Sequence, residues 1–299
     1  MSKLTWTLLL VGSMAGIAAF YPIAKMFDGA DALFVGFFRF ALASLALLPI
    51  VLYRHAFRLP EWRHLTLLAF IALCGVIPTV FIVIGIEQTT SVVAAILINT
   101  NPLVIALLSP LLISEVVTTR KKLGLIVGFV GVVSVVLNGE DPLSLFNSTY
   151  VWGAFILLIA AVFAGLNKIY SKGLVRIYDG LFVTFFATFI GSAMLALLLA
   201  FTGKFAGVAE FSGPQMLALI AAGIVCTAIP WSIWASSLKH LDVHVAASFN
   251  LLIPIFAALY SLLLFDEQFT RWILAGMLLT SIGVYIVQKE EPPPAPIVQ

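Results

Sequence analysis

Apolar stretches near twenty residues long follow one another along almost the whole chain, separated by short polar breaks. That is the length a helix needs to cross the hydrocarbon core of a bilayer. The pattern predicts ten spans, at 5–26, 31–52, 65–86, 91–113, 122–138, 150–170, 180–202, 215–238, 243–264 and 271–288. The breaks are too short to form an extramembrane domain. The segment after Lys289, Glu-Glu-Pro-Pro-Pro-Ala-Pro, is polar and Pro-rich and is expected to be a disordered tail. The apolar start after Met1-Ser-Lys3 has the look of a signal peptide. It runs on through Tyr21-Pro22 and has a partner in the second half, so it is read as the first retained span.

The pattern occurs twice. Shifted by 152 positions, Val93 to Val135 lies on Val245 to Val287 without a gap. In that register Pro102/Pro254, Ser109/Ser261, Glu115/Glu267, Thr118/Thr270, Gly124/Gly276 and Gly131/Gly283 are identical. Farther back Cys74, Ile77 and Pro78 fall on Cys226, Ile229 and Pro230; earlier the offset slips by a few residues, as loop changes would cause, and Phe34 to Phe38 fall on Phe182 to Phe186. A fixed-offset self-match marks a structural repeat, and a period of half the chain marks a duplication. The expected units are residues 1–139 and 149–288, with 289–299 as a cytoplasmic tail. Each unit holds five spans. Five is odd, so the second copy must enter the membrane from the opposite side, which makes the repeat an inverted one.

Charge sets the orientation. One face collects twelve basic residues: Lys3, Arg54, Arg58, Arg63, Arg120, Lys121, Lys122, Lys168, Lys172, Arg176, Lys239 and Lys289. The other face has Lys25, Lys204 and Arg271. The positive-inside rule then puts both termini in the cytoplasm. Composition agrees with a polytopic membrane protein. The chain is 62% hydrophobic and 10% charged, where a soluble domain carries about a quarter charged residues. The net charge of +2 carries no nucleic-acid signal. Cys74 and Cys226 lie inside apolar segments and read as small buried residues, not as a disulfide.

Four prolines, Pro78, Pro102, Pro230 and Pro254, fall near the middle of spans three, four, eight and nine. Each removes an N–H and clashes with the carbonyl four residues earlier; those carbonyls belong to Cys74, Ile98, Cys226 and Asn250. In hydrocarbon such groups need protein or water partners. Four at one depth point to a wet or ligand-filled centre with the prolines as hinges, although proline is also simply tolerated in membrane helices. Around them stand Thr79, Asn99, Asn101, Trp231, Trp234, Ser248 and Asn250, the candidate substrate-binding set. Amides and hydroxyls suit the charged groups of a zwitterion, and apolar walls suit its side chain. For each polar residue the alternative is a hydrogen bond between helices, and for the tryptophans it is core packing. Asn99 and Asn101 are two apart and cannot share one side of a regular helix. Tyr21 and Tyr170, with Asn167 and Lys168, are candidates for a cavity rim, or anchors at the interface.

Arg39 is the deepest charge, and its repeat mate is Ala187. An intramembrane Arg is a functional candidate, but one eight residues into span two can also snorkel to the interface. Carboxylates are absent at mid-span: Glu87, Glu115 and Glu267 close spans three, four and nine. Ion-coupled carriers commonly keep an acid at depth, so the pattern argues for a facilitator or weakly coupled carrier and against a strongly cationic substrate. His240 and His244 are spaced i,i+4, but Asp242 marks a turn between them, and no metal or other cofactor is expected. No nucleophile–base constellation or P-loop is present.

The run Phe34-Val-Gly-Phe-Phe38 before Arg39, and Pro102…Glu115…Gly124…Gly131-Val132 repeated as Pro254…Glu267…Gly276…Gly283-Val284, resemble the drug/metabolite transporter superfamily. Within it the chain is most similar to duplicated EamA-type members and to bacterial exporters of amino acids. The resemblance covers essentially the whole chain. It implies an all-α membrane protein with an inverted five-plus-five arrangement around a central cavity, lined by spans one, three, four, six, eight and nine. Ala187 in place of a second Arg departs from any paired basic site. The function this implies is non-enzymatic export of amino acids or related small metabolites across the bacterial inner membrane, by a monomer working through alternating access. An exporter of amphipathic cations is the alternative. The small multidrug relatives use a membrane Glu, where span one here has Ser13 and Ala15. An assembly subunit is a third reading.

Overall fold

The computed structural model describes residues 3–27, 29–55, 59–101, 103–104, 108, 119–139, 149–203, 211–237, 249–265 and 269–288. Pro102, Ser109, Glu115, Ser248, His240, His244, Glu267 and the tail from Lys289 lie outside them. Among the described residues the regular structure is entirely helical. The helices of the first half are α1 (Lys3–Ala24), α2 (Ala32–His55), α3 (Trp62–Gln88), α4 (Ser91–Ile98) and α5 (Thr119–Leu137). The second half has α6 (Thr149–Tyr178), α7 (Gly180–Thr202), α8 (Gly213–Gly223), α9 (Ile229–Ser237), α10 (Leu252–Phe265) and α11 (Arg271–Gln288). A π-helical turn, Ile224–Ala228, joins α8 to α9. Among the described residues six stretches are long and apolar enough to cross a bilayer, and shorter apolar helices cover Lys122–Val135, Leu252–Leu264 and Arg271–Ile286.

The helix ends follow local chemistry. Thr90 caps α4 and Asp179 caps α7 through side-chain oxygens that accept from Val93 N and Phe182 N. Ser212 and Gln215 form a capping box at the start of α8. The helix expected at 150–170 runs on to Tyr178, because the chain turns only at Asp179, whose φ is +81°. Lys168 therefore sits within a membrane-length helix. Its place in the cytoplasmic loop set is corrected by the structure.

Packing treats the two halves alike. α2 packs on α7, α5 on α11 and α4 on α10, each pair being repeat mates. α3 packs on α6 as α8–α9 packs on α1, and α1 on α10 as α6 on α4. Exchanging the halves maps this set of neighbours onto itself. The α5–α11 crossing shows how the repeated glycines produce it. A Cβ on Gly131 would stand 2.5 Å from the Thr280 amide nitrogen and 2.9 Å from the Gly276 carbonyl oxygen. One on Gly283 would stand 2.5 Å from the Gly128 Cα and 2.7 Å from the Gly124 oxygen. The duplicated glycines thus meet each other, backbone against backbone, as small residues do in membrane helix pairs. Large apolar side chains such as Leu45, Phe129, Trp152, Phe201 and Leu263 are exposed on the outside, facing where lipid lies.

The prolines act differently from one another. Pro78 sits inside α3, which continues past it. Pro230 follows the π turn, whose wider winding removes the clash that a regular turn would create. Pro254 stands in the first turn of α10, after the 3-10 turn Phe249–Leu251, where a missing N–H costs nothing. Span four likewise stops at Ile98, and Asn99-Thr100 is a turn. The expectation of mid-helix bends is corrected on this point: the helix stops at a turn just before the proline register in the first copy, and a 3-10 turn stands there in the second.

Candidate functional site

A cavity of about 200 Å³ opens between the two halves, with residues of both turns, Asn99, Asn101 and Asn250, in its lining. α1, α3, α4, α6, α9 and the start of α10 all contribute to its wall, as do Arg39 from α2 and Val183, Thr184 and Ala187 from α7. Thr79, Asn99, Asn101, Trp231, Trp234 and Asn250 line it, together with Pro78. Pro230 and Pro254 are buried outside the lining. Ser248 and Pro102 lie outside the described residues.

The α4 break explains how Asn99 and Asn101 reach one cavity. They are not on one regular helix, so the two-residue spacing does not separate them. Their amides also carry out local repairs. Asn99 Nδ2 donates to Ala95 O at 2.7 Å, Thr100 Oγ1 to Leu97 O at 2.6 Å, and Asn101 Nδ2 to Ile98 O at 2.8 Å. Side-chain donors of this kind satisfy the carbonyls orphaned at a helix end. The Ile98 carbonyl, expected to need a protein or water partner, has the Asn101 amide. Thr79 Oγ1 is also turned to its own helix, donating to Gly75 O at 2.9 Å.

Two cations face the cavity. The Lys168 ammonium donates to Asn101 Oδ1 at 3.0 Å and stands 5.7 Å from the Trp234 ring centroid. Arg39 is 3% exposed, which rules out snorkelling to the interface. Its Nε donates to Thr227 Oγ1 at 2.7 Å, and Thr227 passes the bond on to Ala222 O at 2.8 Å. The Ala222–Thr227 separation of five residues belongs to the π turn, so the proline-driven widening is what aims this hydroxyl at α2. The guanidinium stands 3.5 Å from the Phe20 ring centroid and 5.7 Å from that of Trp231. A charge at the helix centre costs about 2.5–3.5 kcal/mol on insertion scales. A desolvated cation–π contact of about 2 kcal/mol and a charge-assisted hydrogen bond of about 1.5–3 kcal/mol are together enough to offset it. Among the described residues only Nε has a hydrogen-bond partner, and Arg39 is part of the cavity wall.

Other polar groups close the site. Tyr21, buried on α1, is part of the cavity wall. Tyr170, its repeat mate, packs edge-on against Phe70 at 5.0 Å and is not part of the wall. Asn167 Nδ2 donates to Ile71 O at 2.8 Å, tying α6 to α3, and Ser13 Oγ donates to Pro230 O at 2.7 Å, tying α1 to α9. Trp234 Nε1 is buried with no acceptor among the described residues. No Asp or Glu lies among the described lining residues, and these hold no cluster of metal-ligating side chains. Sequence reasoning undervalued Arg39 and Lys168. The missing Arg partner at Ala187 was a signal for the first, since a charge that symmetry does not require has some other cause.

A helical membrane bundle with a buried polar cavity between two like halves is the build of a transport protein. The EamA-like transporter family model matches the chain twice, over residues 4–137 and 151–288. The chain belongs to the EamA-like transporter family of the drug/metabolite transporter superfamily, and it is a multi-pass membrane protein. It is 26% identical over 295 residues to an uncharacterized transporter of Archaeoglobus fulgidus, covering 97% of this chain and 99% of the relative. It is 23% identical over 290 residues to the S-adenosylmethionine/S-adenosylhomocysteine transporter of Chlamydia muridarum, covering 95% and 91%. A solved crystal structure superposes with a TM-score of 0.66 at 19% identity, over 96% of this chain and 98% of that one, which shows a shared fold.

Proposed function

We propose that the protein is a secondary transporter that exports amino acids or related small metabolites across the bacterial inner membrane by alternating access. It works as a monomer of two inverted five-span repeats with both termini in the cytoplasm. The carrying observation is the cavity at the paired turns before the proline register, walled by both halves and lined with amides, hydroxyls and two tryptophans. Broken helices at a shared depth are where carriers place their substrates. The volume of about 200 Å³ suits a small metabolite better than the ~300–1,000 Å³ typical of drug-sized sites. The Chlamydia relative is named for two amino-acid derivatives, which fits this class. The cation-exporter alternative is disfavoured because Arg39 and Lys168 face the cavity without a lining carboxylate among the described residues.

Uptake of a labelled amino-acid and metabolite panel into proteoliposomes tests the reading. Flux of at least one small metabolite over empty vesicles supports it, and a purified protein that moves none of them counts against it. Counterflow should persist after ionophores collapse proton and sodium gradients; its complete loss would reveal a coupling site. Orientation is tested separately with single cysteines: Gly203→Cys is expected to label from outside the cell and Arg63→Cys only after permeabilisation.

A further inference from the structure

The lining presents donors and positive charge in excess. Arg39 lines the cavity with a hydrogen bond only at Nε among the described residues, Lys168 holds one neutral acceptor, and Trp234 Nε1 has no acceptor among the described residues. The two cations are arranged along one helix face. Trp231 and Trp234 are one turn apart on α9, about 4.5 Å along the axis, with Arg39 beside the first ring and Lys168 beside the second. Each cation also belongs to one half and bonds to the other: Arg39 to Thr227, and Lys168 to Asn101. A substrate bound to both would therefore be held by both repeats at once.

We propose that this cavity selects small organic dianions, one carboxylate docking on the Arg39 guanidinium and the other on the Lys168 ammonium with Trp234 Nε1. The planar guanidinium matches a carboxylate with two parallel N–H donors, and the ammonium serves as a compact point charge. The short hydrocarbon between the acids lies over the two indole faces. A zwitterion brings its own ammonium into a space that already holds two cations, and a simple cation brings nothing to offset them. The inference rests on the cavity being the transport site and narrows the metabolites that enter it to acidic ones.

Binding is read on purified protein by tryptophan fluorescence and thermal unfolding, with succinate, glutarate, propionate, phenylalanine, lysine and tetraphenylphosphonium as probes. Succinate or glutarate is expected to bind at least tenfold more tightly than propionate or phenylalanine, with no response to the two cations. Lys168→Gln should erase most of the dianion advantage over propionate while leaving propionate binding near its starting value. Arg39→Ala should weaken every anion at least tenfold. Arg39→Lys keeps the charge without the fork, so it should retain part of the anion binding that Arg39→Ala loses; wild-type succinate affinity in folded Arg39→Ala would make Arg39 purely structural and overturn the proposal. Tighter binding of phenylalanine or tetraphenylphosphonium than of both dianions overturns the proposal, as does wild-type succinate affinity in folded Lys168→Gln. Dianion binding without flux of any panel member would strike the transport reading and leave this inference standing. Flux of a zwitterion without dianion binding would do the reverse.

Discussion

The two halves share a scaffold and differ in chemistry. Where α2 carries Arg39, the matching place on α7 carries Ala187. Where the π turn offers Thr227 to that Arg, α3 has Gly75. Where α6 carries Lys168, α1 has Ala19. Both copies keep a non-α turn before the proline register and the glycines of the α5–α11 crossing. The features in both copies are those that let helices pack and break. The features in one copy are those with charge. Two copies of a buried cation facing each other would repel across one small cavity, so duplication is useful for the frame and harmful at the site.

The comparison breaks hardest at the frame. Gly283→Leu puts a side chain into the Gly124–Gly128 backbone, which cannot give way, and should destabilise the protein by about 3 kcal/mol or more. Gly12→Ala, whose Cβ meets nothing within 4 Å, is the control. Thermal unfolding in detergent separates them, and equal midpoints would show that the crossing is not tight. Next comes moving the charge. The double variant Arg39→Ala, Ala187→Arg places the guanidinium opposite Gly75, with no Thr hydroxyl to hold it. Transport should fall about a hundredfold, or about 2.7 kcal/mol; unchanged transport would mean that the half carrying the charge is immaterial.

Smaller effects are expected inside the wall. Asn101→Ala removes both the Ile98 repair and the Lys168 partner, and Trp234→Ala removes a face and a donor. Each should lower the initial rate about tenfold, near 1.4 kcal/mol, with thermal stability checked alongside. If both keep wild-type kinetics, the substrate sits elsewhere. The smallest expected effect distinguishes the prolines. Pro230→Ala allows the π turn to relax to a regular helix and turns Thr227 away from Arg39, so turnover should drop a few-fold. Pro254→Ala, in a first turn that needs no N–H, should change stability by less than about 1 kcal/mol and slow turnover less. A larger effect at Pro254 than at Pro230 would restore the idea of a hinge in the second break.

Much of the fold was legible because its causes are local or periodic. Apolar runs of bilayer length mark helices whatever their neighbours are. A fixed offset marks a duplication, and the glycines that later proved to touch were already visible as repeat mates. The helix break at Asn99-Thr100 was not legible, and it decides the site. From the chain alone Asn99 and Asn101 had to diverge, because the periodicity assumed an unbroken helix. Which carbonyls were satisfied was equally hidden, since the Asn101 amide and the Ile98 oxygen meet only once the turn has formed.

The sequence by itself determined that the chain lives in a bilayer, that it is built twice, and that its polar residues gather at one depth. Those follow from composition and period, which do not depend on how helices dock. Only the tertiary structure decided that Arg39 and Lys168 turn inward, and that Tyr21 lines the cavity while Tyr170 does not. A cation on a membrane helix is stable at the interface or in a polar interior, and one-dimensional position does not choose between them. Here the choice is made by Thr227, Phe20 and Asn101, residues far away in the chain that the packing of the two halves brings within reach.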